Sequence, residues 1–261
     1  MNSIPKYSIM TLKPRNSRTV LIVPVINEGE RIKRQVAKIF DSNSLIDLII
    51  ADGGSGDGSL DDLDYLKRCG VTAILTKTDL GGLSAQLRMA FSYALDAGYE
   101  FFITMDGNDK DGPEGIGRIQ AKLLEGYDFV QGSRYVRGGE AVNTPWNRHL
   151  AIRLIHSPLI SLGAGIRFSD TTNGFRGFSR RILMDERVSI FRDIFDTYEL
   201  LAYLPVAAGK FQFKCCEVPV TRSYPKNEDT PTKIHGLKAQ LRLFRILLHA
   251  IMGSFYPNHR Q

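Results

Sequence analysis

The sequence predicts an α/β fold in which a mostly parallel β-sheet is covered by helices. Apolar runs of strand length recur through the first half, stripes of helical period fall between them, and acidic, glycine-rich loops follow several of the runs. Strands that alternate with helices imply parallel pairing, because each crossover must return the chain to the same edge. Ligands of such sheets bind beyond the carboxyl ends of the strands, so those loops are where chemistry is expected.

The expected strands are Thr19–Val25, Leu48–Ala51, Thr72–Thr76, Phe101–Met105 and Phe129–Gly132. Between them Ile32, Val36 and Ile39 form one helical stripe, and Leu83, Leu87, Phe91 and Ala94 form another. The second half predicts a helix from Trp146 to Leu162, a turn-rich stretch around Asp170–Gly174, a helix from Thr197 to Ala208 and a strand from Phe211 to Val220. No repeat and no Gly-, Pro- or Ser-rich linker interrupts the chain, so one catalytic domain over residues 1–223 and a C-terminal appendage over residues 224–261 are expected.

In that appendage Leu237, Leu241, Phe244, Leu248, Ile251 and Phe255 recur at alternating spacings of four and three, as one helical stripe. Lys238, Arg242, Arg245 and His249 border it as a basic strip, while Leu243, Ile246 and Leu247 widen the apolar arc. Such a basic amphipathic helix fits a membrane interface with its cations near anionic headgroups. Packing on the catalytic domain or on a second subunit is the alternative.

The formal charge of +6 favours anionic partners such as phosphorylated small molecules or acidic lipid headgroups. No helix-turn-helix or zinc-finger pattern accompanies it, so nucleic acid is not expected. The three cysteines, Cys69, Cys215 and Cys216, are odd in number and two are adjacent, which suits a reducing compartment. The first twenty residues lack the apolar core of a signal peptide, and no window reaches the roughly 18 apolar residues of a spanning helix. A cytoplasmic protein, peripheral on a membrane, is therefore expected.

The loops after the strands read Pro24-Val25-Ile26-Asn27-Glu28, Asp52-Gly53-Gly54-Ser55-Gly56-Asp57-Gly58 and Asp106-Gly107-Asn108-Asp109-Lys110-Asp111. Asn27 with Glu30 also has the spacing of a helix cap, and the Asp-Gly-Gly-Ser run also suits a plain turn. The third loop lacks the Gly and Glu positions of an EF-hand. A short cluster of hard oxygen ligands after a buried strand suits Mg²⁺ or Mn²⁺ bridging a diphosphate. Neither G-x-G-x-x-G nor G-x-x-x-x-G-K-[ST] is present, so phosphate must be held by metal and basic side chains. Arg134, Arg176, Arg222 and Lys233 are the candidates.

Taken in order, these motifs resemble the family 2 glycosyltransferases of GT-A fold, in the branch of dolichyl-phosphate-mannose synthase and bacterial polyprenyl-phosphate glycosyltransferases. Val23-Pro24 with Asn27-Glu28 is similar to the family's element at the nucleobase end of the donor. Asp52–Gly58 resembles its "DDGS-x-DG" turn, which implies contact of Asp52 with base or ribose. Leu80-Gly81-Gly82 resembles its glycine turn before the third helix, and Asp106-Gly107-Asn108 its Asp-x-Asp metal motif, with Pro113-Glu114 following. Gly132-Ser133-Arg134-Tyr135 with Gly138-Gly139 looks like "GSRY-x-x-GG", and Asp170–Arg176 like the acceptor-side "D-x-x-x-G-F-R". Asn108 and Gly53 depart from the family's second Asp in each acidic motif, and Arg222 and Lys233 lie in a stretched version of its late "R-x-x-G-x-SK" element.

The resemblance implies an inverting, metal-assisted transfer from a UDP- or GDP-sugar to a polyprenyl phosphate or a glycan hydroxyl. Asp106 and Asn108 would hold the cation, with Arg134 or Arg176 near phosphate. A hydroxyl acceptor needs a general base, for which Asp170 and Glu199 are the candidates, whereas a phosphate acceptor does not. Two alternatives compete: a nucleotide-sugar pyrophosphorylase, and a degenerate transferase that binds membrane or partners. Asn27-Glu28-Gly29-Glu30 stands where a pyrophosphorylase has its Gly-rich signature.

Overall fold

The computed structural model describes residues 3–42, 45–225 and 236–257, with side chains in the last stretch from Ala239 onward. In chain order the elements are β1 (Tyr7–Thr11), β2 (Thr19–Val25), α1 (Glu30–Asp41), β3 (Asp47–Asp52), α2 (Leu63–Arg68), β4 (Val71–Lys77), α3 (Leu83–Asp96), β5 (Phe101–Thr104), α4 (Glu114–Leu124) and β6 (Phe129–Ser133). There follow β7 (Glu140–Val142), α5 (Trp146–Ala151), α6 (Ser157–Ala164), β8 (Arg176–Ser179), α7 (Arg180–Met184), α8 (Glu199–Lys210), β9 (Cys215–Pro219), β10 (Thr221–Ser223) and α9 (Gly236–Ile251).

Alternation along β2 explains the layers. Val20 and Ile22 point into one apolar cluster, shared with α3, α6, α8 and α9, whereas Leu21, Val23 and Val25 point into a second, shared with α1 and α4. A strand whose side chains alternate between two buried faces must lie inside the sheet. The eight-stranded sheet has the order β1-β4-β3-β2-β5-β8-β6-β9, and β7 pairs separately with β10. Pairing is parallel for β2 with β3 and β5, β3 with β4, and β6 with β9. It is antiparallel for β1 with β4 and where β8 lies between β5 and β6.

β8 was not foreseen. Its four residues, Arg-Gly-Phe-Ser, are too few to show a period, and pairing on both sides is what makes them a strand. The predicted helix from Trp146 runs on to Ala164 through a π-helical turn, Ile152–His156. The predicted strand from Phe211 begins only at Cys215, because α8 extends to Lys210 and Phe211 and Gln212 close it, the latter with φ of 59°.

In α9 it is Ile246, Leu247 and Ala250 that are buried against the core. Leu241 and Phe244 from the predicted stripe are 58% and 44% exposed, beside exposed Arg242 and Arg245. The side chains of Leu237 and Lys238 lie outside the described ones. No described helix is long and apolar enough to cross a membrane.

Phe91 stands edge-on to Phe102 and Phe178, with ring centres 6.2 and 5.5 Å away, and is fully buried between α3 and the sheet. Phe91→Ala is expected to cost ~3–5 kcal/mol, the range for aromatic truncation in a packed core. Urea denaturation would measure it, and a loss below about 1 kcal/mol would show that this core can collapse around the gap.

Candidate active site at the carboxyl edge of the sheet

Parallel register brings the ends of β2, β3 and β5 to one edge, with Val25 opposite Asp52 and Ile22 opposite Thr104. Asn27 links the first two loops. Its backbone N–H donates to Ser55 Oγ at 3.0 Å, and its Oδ1 accepts from the Gly56 N–H at 2.9 Å. Asn27 does not cap α1: the capping position is Gly29, without a side-chain cap bond. Glu28 is ion-paired with Arg31 at 3.1 Å.

Asp52 is buried, and its Oδ1 accepts from the N–H and hydroxyl of Ser55 at 2.9 and 2.7 Å. The absence of a side chain at Gly53 has a packing reason. A Cβ there would lie 2.9 Å from Gln86 Nε2, which is itself committed to the carbonyls of Val25 and Ala51. Gly81, at φ of 114°, turns the chain into α3 so closely that a Cβ would meet Asp196 Oδ1 at 2.6 Å. Pro24 lines a small cavity with Asp106 and Arg176.

At the end of β5, Asp106 meets Arg222 from β10. Arg222 Nη2 donates to Asp106 Oδ2 at 2.7 Å, and Nη1 donates to both oxygens of Asp111 at 2.7 Å and to Asn173 Oδ1 at 3.3 Å. Burial opposes charge on both groups, but their attraction outweighs it. Asp106 is held below the usual carboxylate range and Arg222 well above the usual guanidinium value. Lys110 is buried in the same cluster, 5.1 Å from the centre of the Tyr224 ring. Burial, and then the field of Arg222, push its ammonium down to about 8. The Tyr224 hydroxyl accepts from Arg148 Nη1 at 3.0 Å, and Arg222 and Arg148 together overcome burial to bring that phenol down to about 8.

Arg134 forms a fork with Asp170: Nε to Oδ2 at 2.6 Å and Nη2 to Oδ1 at 2.8 Å, with both side chains buried. Its Nη1 is buried and has no partner among the described protein atoms. Arg176 is turned inward instead. Its guanidinium donates to the carbonyls of Asn173, Thr171 and Leu201 at 2.9, 2.7 and 2.7 Å, bracing the Thr171–Asn173 turn, and burial pushes it down to about 10. Glu199, at the start of α8, folds back to accept from the Thr197 N–H and hydroxyl. Lys233 lies outside the described residues.

The residues fit a hard divalent ion in part. Asp106 is 26% exposed with one oxygen free of Arg222, and buried Asn108 Oδ1 has no described partner, the kind of lone pair a cation satisfies. Neither neighbouring acid joins them, since Asp109 is held by Arg34 and Lys38 at 2.8 and 2.7 Å and Asp111 by Arg222. Among the described residues no group of three or more His, Cys, Asp or Glu is arranged for a metal. Asp106 and Asn108 would therefore hold an ion whose other ligands come from a bound diphosphate or water.

Sequence reasoning missed Lys110, Arg148, Asn173 and Tyr224 as members of this site. Arg148 lies on α5, where its helical context gives no sign that it reaches Tyr224. The position of Lys110 inside the acidic loop was a visible signal.

The glycosyl transferase family 2 model matches residues 20–186. A polyprenol monophosphomannose synthase of Mycolicibacterium smegmatis is 28% identical over 246 residues, covering 93% of this chain and 90% of the relative. An undecaprenyl-phosphate mannosyltransferase of Micrococcus luteus is 28% identical over 162 residues, 62% of this chain and 66% of that protein. A glucosyl-3-phosphoglycerate synthase from Mycobacterium tuberculosis, solved with Mn²⁺, uridine diphosphate and phosphoglyceric acid, superposes with a TM-score of 0.62. That match covers 92% of this chain and 85% of the other at 16% identity, and shows that the fold is shared.

Removing Asp170 would leave the Arg134 guanidinium buried without its counter-charge. Asp170→Ala is expected to lose ~3–5 kcal/mol of stability, and combining it with Arg134→Met to recover part of that loss. Chemical denaturation of the single and double variants checks this, and strictly additive losses would contradict it.

Proposed function

The chain belongs to glycosyl transferase family 2, and from that premise we propose that it transfers a sugar from a UDP- or GDP-sugar to a polyprenyl phosphate, with inversion. One observation favours a phosphate acceptor over a glycan hydroxyl: the candidate bases are engaged. Asp170 is forked to Arg134, and Glu199 accepts two bonds from Thr197. A hydroxyl needs a base to take its proton, whereas a phosphate is already an anionic nucleophile. The names of the two mannosyl-transferring relatives point the same way.

In this reading the donor lies across the carboxyl edge, with its nucleoside near Pro24, Asn27, Glu28 and Asp52, beside the Gly81 turn, and its diphosphate at Asp106. An acceptor phosphate oxygen forms the new bond to the anomeric carbon as the bond to the donor's phosphate oxygen breaks, and the electron pair leaves with the nucleoside diphosphate. Arg222 and the unpartnered Nη1 of Arg134 meet the charge that develops on the phosphates. A divalent ion at Asp106 and Asn108, Mg²⁺ or Mn²⁺ as in the structural relatives, would add Lewis-acid stabilisation of the departing diphosphate.

A lipid-linked acceptor calls for a membrane face, and the helices on one side of the domain supply candidates. Trp146 and Leu154, on α5 and the π-helical turn, are 72% and 68% exposed, near Arg148 and Arg153. α9 exposes Leu241 and Phe244 with Arg242 and Arg245, and it packs against α6. Apolar side chains interleaved with arginines suit peripheral attachment to an anionic membrane. The three free cysteines, as a reducing compartment keeps them, support attachment on the cytoplasmic side.

Incubation with UDP- and GDP-sugars and a short-chain polyprenyl phosphate, followed by mass spectrometry, is expected to yield a glycosyl phospholipid. Asp106→Ala should lower that turnover by about 10²-fold or more. Transfer to free glycans but not to the lipid phosphate would overturn the acceptor assignment, and no transfer from any donor would favour a non-catalytic binder.

Leu154→Glu with Phe244→Glu is expected to release the protein from vesicles containing anionic lipid in a sedimentation assay. Unchanged binding of this double variant, or no binding by the parent chain, would remove the membrane assignment of these surfaces.

A further inference from the structure

Glu217 takes no part in the transfer step, yet one of its oxygens holds both segments that present Arg134. It stands on β9 opposite Gln131 of β6 and is half-buried. Its Oε1 accepts from the Ser169 N–H at 2.9 Å, the Ser169 hydroxyl at 3.0 Å and the Asp170 N–H at 3.3 Å. Because the Ser169 hydroxyl gives its hydrogen to Glu217, it accepts from Ser133 Oγ at 2.6 Å, and Ser133 Oγ accepts in turn from the Tyr135 N–H at 3.0 Å. Arg134 lies between Ser133 and Tyr135, so this relay fixes the backbone on both sides of it. The Arg134 N–H and Nε then close the circuit on Asp170 Oδ2, at 3.2 and 2.6 Å. Burial, aided by the Asp170 carboxylate, outweighs the three bonds to Oε1 and raises the Glu217 carboxyl above its usual range. What the arrangement asks of this residue is an acceptor oxygen at the right reach, and not a negative charge.

We propose that Glu217 is a positioning residue: through Ser169 and Asp170 it aims the Arg134 guanidinium at a substrate phosphate, that of the nucleotide sugar or that of the lipid. The inference rests on the reading of Arg134 as a phosphate-binding side chain given above. A guanidinium recognises phosphate by angle as well as by charge, so a small shift of its backbone weakens binding without removing the charge.

Two variants separate reach from charge. Glu217→Gln keeps an oxygen at the same reach, whereas Glu217→Asp keeps the charge and withdraws the oxygen by one methylene. Initial rates of the full chain, with the nucleotide sugar and a short-chain polyprenyl phosphate varied in turn, compare them, and urea denaturation shows whether each is folded. Glu217→Asp is expected to raise the KM for one substrate by about tenfold and to leave the other within about twofold. Glu217→Gln should keep both near the parent values. A rise confined to the lipid phosphate assigns Arg134 to the acceptor, and one confined to the nucleotide sugar assigns it to the donor; either supports the proposal. General loosening of the fold would not single out one substrate. Unchanged KM values in a folded Glu217→Asp variant, an equal rise in both, or a larger loss in Glu217→Gln than in Glu217→Asp would overturn the proposal. If Glu217→Asp does not fold, Ser169→Ala, which cuts the relay to Ser133 and leaves the backbone bonds, decides on the same terms. A parent chain that transfers no sugar to the lipid phosphate overturns the transferase reading itself, and this inference with it.

Discussion

The Arg222 guanidinium holds the candidate site together. It reaches from β10 to Asp106 and Asp111, residues more than a hundred positions earlier, and touches Asn173 from the turn before β8. Three segments with no sequence proximity are thereby fixed around one planar fork. Few other side chains can do this, because a lysine offers a point charge where the guanidinium offers donors at fixed angles. The carboxylates need this partner as much as it needs them, since each is buried and would be costly to ionise alone.

The same logic runs through the neighbouring groups. Arg134 and Asp170 make a second buried pair, and Arg176 ties down the turn that carries Asp170 by bonding three backbone carbonyls. Arginines that look equivalent in sequence therefore do different work: Arg176 braces a turn, while Arg134 keeps one buried N–H without a described protein partner. This division makes a charge-rich but base-poor site, and the proposal of an already ionised acceptor rests on it.

The described part of α9 joins the core through Ile246, Leu247 and Ala250 and still exposes Leu241 and Phe244. One helix can serve both surfaces because its apolar arc is wider than the contact with α6 and α8 requires. The two readings of the amphipathic pattern, packing and membrane contact, are thus compatible on different faces.

The sequence by itself determined the α/β class, the family resemblance and the acidic loops, because strand runs and helical stripes are local patterns and Asp52, Asp106 and Asn27 sit directly after them. It located β2 at its observed limits, since its seven residues form one continuous run of strand length and six of them are buried. Tertiary structure alone decided that β8 is a strand, that Asn27 joins two loops instead of capping α1, and that Gly53 makes room for Gln86. It also decided how each acid is paired. Asp106, Asp109 and Asp111 are near neighbours in one loop, yet one faces the open edge, one pairs with α1 and one is enclosed by Arg222. Those fates depend on cations distant in the chain, and a linear pattern carries charge and spacing but not the direction in which each side chain leaves the backbone.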